Sequence, residues 1–135
     1  MINPEIITQL HKAAYANWLG ATLEEVAEGY SRVSLVVSET MLNFHGITHG
    51  GIVFSLGDIA FGAASNSHGQ KALALNVNIS FLRPTQAGDH LIAEAKEISL
   101  GGATALYDIL VTEKNSQQLV AKSQGLVYRK RENFV

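Results

Sequence analysis

The apolar positions of this chain fall into two rhythms, one helical and one alternating. Between Pro4 and Gly20, residues Ile6, Ile7, Leu10, Ala13, Ala14 and Trp18 recur at helical spacing. Asn3 is placed to cap the first turn and Pro4 is tolerated inside it. One amphipathic N-terminal helix ending near Gly20 is therefore expected. From Ala21 to Val37 the pattern changes, and Arg32-Val33-Ser34-Leu35 alternates as a half-buried strand does. Two strands turning at Glu28-Gly29 fit this stretch. After Gly69 alternation returns, with Leu73, Leu75, Val77, Ile79 and Phe81 on one face and Ala72, Ala74, Asn76, Asn78 and Ser80 on the other. Arg83-Pro84 ends that strand, because proline cannot continue a central ladder. Further strands are expected near 89–99, 103–113 and 118–129, parted by Leu100-Gly101-Gly102 and Lys114-Asn115-Ser116.

Between the two strand regions lies GGIVFSLGDIAFGAASNS, from Gly50 to Ser67. Ile52, Leu56, Ile59 and Ala63 follow helical spacing, while Val53, Phe54 and Phe61 cover other sides. A helix apolar nearly all round belongs inside a protein. The segment approaches transmembrane length, but its Asp, its Asn and its glycines at 50, 51, 57 and 62 argue for burial in protein instead. The predicted layout is helix, two strands, buried helix, then four strands with short connections. Short connections favour antiparallel pairing. The expected α+β fold is a long curved antiparallel sheet wrapped around one buried central helix, with an extra helix at the N-terminus.

Composition narrows the function more than the fold. The chain has 135 residues, 47% of them apolar and 16% charged, which suits one domain spanning residues 1–135. Its net charge of −2 gives no electrostatic case for nucleic acid or membrane as a partner. With no cysteine, thiolate catalysis, disulfides and Cys-ligated metal are excluded. The first twenty residues carry Glu5 and no uninterrupted apolar stretch, so they do not resemble a signal peptide, and a cytoplasmic location is the expectation.

The candidate chemistry centres on Asp58, the one formal charge in that apolar segment. Burial raises the pKa of a carboxylate unless donors or cations compensate. Such an Asp can act as a base, or can simply hold two elements together; the residue alone leaves both open. The loop before it, Asn43-Phe44-His45-Gly46-Ile47-Thr48-His49-Gly50-Gly51, brings two imidazoles, a carboxamide and three glycines directly to a helix N-terminus. The first amides of a helix have no intrahelical partner, and with the helix dipole they favour an anion such as a developing oxyanion. Asn43 also suits a local turn, and His49 also suits a brace for the loop. His45 and His49 stand four apart without a third ligand, so no metal is expected.

The spacing adds a constraint. Eight residues of helix separate Gly50 from Asp58, roughly 12 Å along the axis. A base and an oxyanion donor must each reach a reacting centre within about 3 Å. One chain's Gly50 and Asp58 cannot both do so, and a composite site between two-fold-related subunits is expected.

Three stretches carry a family resemblance. Met41-Leu42-Asn43-x-His45-Gly46-x-x-His49-Gly50-Gly51 is followed by Phe54-Ser55-Leu56-x-Asp58-x-Ala60-Phe61, then by Phe81-Leu82-Arg83-Pro84-x-x-Ala87-Gly88-Asp89. With Tyr107-Asp108-Ile109 in a late strand, they resemble the PaaI-type (phenylacetyl-CoA) thioesterases of the hotdog-fold superfamily, over about residues 15–130. The resemblance implies hydrolysis of an acyl-CoA to a free acid and coenzyme A, with no cofactor beyond the coenzyme A of the substrate. It casts Asp58 as general base or nucleophile and the Gly50 amide as the group polarising the carbonyl. Asn43 and His49 would orient water or substrate, and His45, Gly51 and Arg83 would contact substrate, Arg83 near the coenzyme A phosphates. A homodimer is implied, assembled as a dimer of dimers, with a role in phenylacetate catabolism. A hydroxylated phenylacetyl or a medium-chain acyl group is the expected substrate. A non-catalytic acyl-binding module and an acyl-ACP thioesterase are the alternatives.

The sequence also departs from related patterns. Ala74 stands where some relatives carry a hydroxyl that positions water. The Asp-x-x-x-His pair of the other main thioesterase branch is missing, and Asp58 replaces the Glu of hotdog dehydratases.

Overall fold

The computed structural model describes residues 2–135. Two short helices, α1 (Pro4–Leu10) and α2 (Ala14–Leu19), precede strands β1 (Thr22–Ala27) and β2 (Tyr30–Val36). A single 3-10 turn at Glu39–Met41 leads into helix α3 (Gly50–Ser65), and strands β3 (Gln70–Phe81), β4 (His90–Leu100), β5 (Thr104–Glu113) and β6 (Leu119–Asn133) follow. All six strands join one antiparallel sheet in the order β1-β2-β4-β5-β6-β3. The sheet curves around α3, which packs on β2, β4 and β5. This is the hotdog architecture, with the N-terminal helical segment beside it. No helix of the described residues is long and apolar enough to cross a membrane.

The N-terminus differs from the single helix expected. Asn3 does cap α1, its side chain accepting the Glu5 N–H at 3.0 Å. The chain then breaks at His11–Ala13 and restarts. Ile6 and Leu19 reach the interior, whereas Trp18, assigned to the buried stripe, is 79% exposed. Neither short helix is held by length, so each keeps only the side chains its own packing can bury.

Strand β3 differs more instructively. The pairing of β3 with β6 shifts between Ala74 and Asn76, a bulge at Leu75. One inserted residue flips every later side chain to the opposite face. Ala72 is buried before the bulge, and Val77 and Ile79 pack on the core after it. Leu73 and Leu75, expected on the same face as Val77, are 55% and 59% exposed. β3 is also an edge strand of twelve residues.

The core is centred on the concave face of the sheet. Val53, Leu56, Gly57, Ala60, Phe61 and Ala64 of α3 meet Val33, Leu91, Ala93, Tyr107 and Ile109. The buried stripe thus runs through Val53 and Ala60 rather than through Ile52 and Ile59, which are only half buried. Two glycines set how close the helix lies. A methyl group at Gly57 would stand 3.3 Å from the Ile109 side chain, and one at Gly125 would meet the Phe61 ring at 2.5 Å. Gly125→Ala is therefore expected to destabilise the fold by about 1–3 kcal/mol, the usual cost of overpacking a core. A lower midpoint of urea denaturation at unchanged slope would check this; an unchanged midpoint would mean that Phe61 moves freely.

Candidate active site

Helix α3 begins at Gly50 with His49 as its N-cap in extended conformation. The His49 ring turns back, and its Nδ1 accepts the Gly51 N–H at 2.8 Å. Because Nδ1 accepts, the proton of the neutral ring resides on Nε2. The His49 carbonyl accepts the Ile52 N–H at 2.9 Å. Gly51 and Ile52 are thus partnered, while the Gly50 N–H has no partner among the described residues. The cap leaves one free donor at the positive end of a sixteen-residue helix.

The loop that presents this donor is fastened on both sides. Asn43 Oδ1 accepts the His45 N–H at 2.9 Å and the Ile47 N–H at 3.3 Å, closing the turn through Gly46, whose φ is +80°. The Asn43 amide nitrogen makes no bond among the described residues and remains a donor. Thr48 and Thr85 share a buried hydroxyl bond of 2.7 Å, which ties the loop to the turn after Pro84. Asn43, Gly50, Phe81 and Arg83 consequently line one cavity of about 420 Å³. A methyl group on Gly50 would stand 3.4 Å from the edge of the Phe81 ring, an ordinary contact.

Asp58 opens elsewhere. It lines a separate, mainly apolar cavity of about 470 Å³ between the N-terminal segment, β1 and α3. It lies on the helix face that a single chain leaves uncovered, together with Gly51 and Phe54, rather than in the core. The side chain reaches solvent, yet its apolar surroundings already push the carboxyl pKa above the ordinary value. No cation or hydrogen bond among the described residues offsets this. Asp58 is a carboxylate held without compensation, the state suited to a base.

The structure thus gathers Asn43, Gly50 and Arg83 and keeps them apart from Asp58 of the same chain. His49 and Gly51 have Nδ1 and the amide N–H engaged with each other, and both line a third cavity with Tyr15 and Ser55. His45 is exposed and its ring lies tilted against Phe44, 4.0 Å between ring centres. Among the described residues no group of three or more His, Asp or Glu side chains is arranged to hold a metal ion. Two participants escaped the sequence reading. Tyr15 meets Ser55 through a 2.8 Å hydroxyl bond, tying the N-terminal segment to α3 one turn before Asp58. Ser55 was legible as a second polar residue three before Asp58; Tyr15, forty residues away, gave no signal. Phe81, which the alternation placed on one strand face with Val77 and Ile79, lies beside Gly50 in its cavity.

Comparison with known proteins bears on the family and the fold. The sequence model of the thioesterase superfamily matches residues 45–120. The acyl-coenzyme A thioesterase PaaI of Escherichia coli is 41% identical over 116 residues, 86% of this chain and 82% of its own. The structure of the E. coli PaaI protein from the phenylacetic acid degradation operon superposes with a TM-score of 0.90 at 38% identity, covering 94% of this chain and 91% of that one. A Streptococcus mutans protein bound to acetyl CoA gives a TM-score of 0.80 at 28% identity, covering 84% and 90%.

Proposed function

The chain belongs to the thioesterase superfamily and is a thioester hydrolase, and on that premise we propose that it hydrolyses acyl-CoA with Gly50 and Asp58 as its working groups. The observation that carries this reading is that one helix, α3, presents a single free amide at its N-terminus and, eight residues on, an uncompensated carboxylate. The thioester carbonyl oxygen would accept the Gly50 N–H, whose position at the helix terminus favours the developing negative charge. Ionised Asp58 would take a proton from water as the water oxygen bonds to the carbonyl carbon. Collapse of the tetrahedral intermediate breaks the C–S bond, the proton held by Asp58 passes to the departing thiolate, and coenzyme A and the acid are released. The free amide of Asn43 would orient water or substrate, and Arg83 would meet the coenzyme A phosphates. The reaction needs no metal or further cofactor.

The separation along α3 and the two distinct cavities support a site shared between chains, Gly50 of one facing Asp58 of another. Edge strand β3 supports the same arrangement. Its outer ladder is unpaired, and Leu73, Leu75 and Phe81 are more than half exposed. An exposed apolar edge is a template for another strand, and a second copy supplies a matching one by two-fold symmetry. The acetyl CoA held by the S. mutans relative and the name of the E. coli PaaI relative support coenzyme A as carrier, and the phenylacetic acid degradation operon of that relative supports an aromatic acid as cargo.

Mixing inactive Asp58→Ala chains with inactive Gly50→Pro chains tests the shared site. Exchange of subunits should restore about a quarter of wild-type thiol release, since half the dimers are mixed and each has one intact site. No recovery in demonstrably mixed dimers would place both groups in one chain's site.

A further inference from the structure

The wall of the Asp58 cavity contains a glycine that the fold itself does not require. Gly62 lies four residues after Asp58, one helical turn along α3 on the same face. Glycine in a helix interior is destabilising relative to alanine. Its common justifications are absent here. Gly62 does not have a positive φ, and a methyl group there would meet no heavy atom within 4 Å. Of the other glycines of α3, Gly51 is explained by the His49 ring and Gly57 by Ile109, while Gly50 stands at the helix start rather than in its interior. Gly62 instead borders the cavity of about 470 Å³ that begins at Asp58. The opposite walls are mainly apolar, with Leu10, Ala13 and Ala16 from the N-terminal segment and Leu23 and Val33 from the sheet, interrupted by the polar His11, Tyr15, Asn17 and Thr22.

We propose that Gly62 is a specificity-determining residue, its missing side chain being the space through which an acyl tail of aryl or medium-chain size extends past Asp58. This rests on the acyl-thioester reading above, because it places the reacting carbonyl beside Asp58. One turn of helix is about 5.4 Å, so an acetyl group ends before Gly62 and an octanoyl or phenylacetyl group crosses it. A side chain at position 62 projects into that path.

The experiment titrates two thioether analogues that cannot be hydrolysed, S-ethyl-CoA and S-octyl-CoA, into wild type, Gly62→Ala and Gly62→Leu. Each methylene buried from water favours binding by about fourfold at most. Wild type should therefore prefer the octyl compound by well over tenfold. Gly62→Leu should cut that preference at least tenfold, and Gly62→Ala should cut it less while melting roughly 4 °C higher. Gly62→Ala, which the helix favours, carries the test should the larger variant not fold. An unchanged preference in the variants would overturn the assignment, as would a wild type indifferent to tail length. A change in sedimentation with selectivity intact would also overturn it, since the glycine would then serve contact between copies. Failure of the catalytic reading looks different: the tail preference would be present, but wild type would release no thiol from any acyl-CoA.

Discussion

Asp58→Asn is expected to yield a folded protein that releases thiol from acyl-CoA about 10²–10⁴ times more slowly than wild type, the usual contribution of a positioned base. Its stability should move the other way. The apolar surroundings raise the carboxyl pKa in the folded chain above its ordinary value, which the unfolded chain retains. Between the two values the folded state binds more protons than the unfolded state, so stability falls as pH rises through that window. Above the window the ionised Asp58 burdens the fold, and the neutral amide relieves it. Asp58→Asn should therefore melt higher than wild type at neutral pH and lose this advantage in acid. Wild-type turnover has the matching sign, because it needs the ionised form and should decline as pH drops through the raised pKa. Melting curves and pH–rate profiles on both proteins decide the matter. A wild-type profile flat from about pH 4 to 9, or an Asn variant with full turnover, would remove Asp58 from the chemistry.

Gly50→Pro should be comparably damaging for a different reason. Proline is well tolerated at the first position of a helix, where the missing N–H has no intrahelical partner. The preceding residue must be extended, and His49 already is, with φ −62° and ψ 136°. The substitution consequently deletes the one free donor while leaving the helix start and the His49 cap in place. Loss of an oxyanion donor costs about 2.7–4 kcal/mol, or 10²–10³ in kcat. Gly50→Ala keeps the N–H and meets only the Phe81 ring at 3.4 Å, so it should retain most activity. Parallel kinetics and melting of the two variants separate the donor from the backbone. Equal losses in both would show that shape at position 50, and not the amide, matters.

Much of this molecule could be read before its structure. Element order and the position of α3 followed from alternation and helical spacing, because burial on one face imposes those periods directly. The site loop was visible because glycines and a lone carboxylate are conspicuous in an apolar run. What stayed hidden depended on contacts distant in sequence. The bulge at Leu75 responds to the pairing of β3 with β6, some fifty residues downstream, and no local rhythm announces it. The break between α1 and α2 likewise reflects what the sheet leaves room to bury. The apolar character of α3 was read as burial on every side, although the sheet covers only one. The uncovered face holds Asp58 and Phe54, and composition cannot distinguish a face that meets the core from one that awaits another chain.

The eight-residue gap between Gly50 and Asp58 on a rigid helix has a genetic corollary under the shared-site reading. A chain damaged at either position alone spoils one of the two sites in a mixed dimer and leaves the other intact, so such an allele would behave as recessive. A chain damaged at both positions spoils both sites, since each needs one half from it. The double lesion would act as a dominant poison of the normal product, although each lesion separately is no worse than a null.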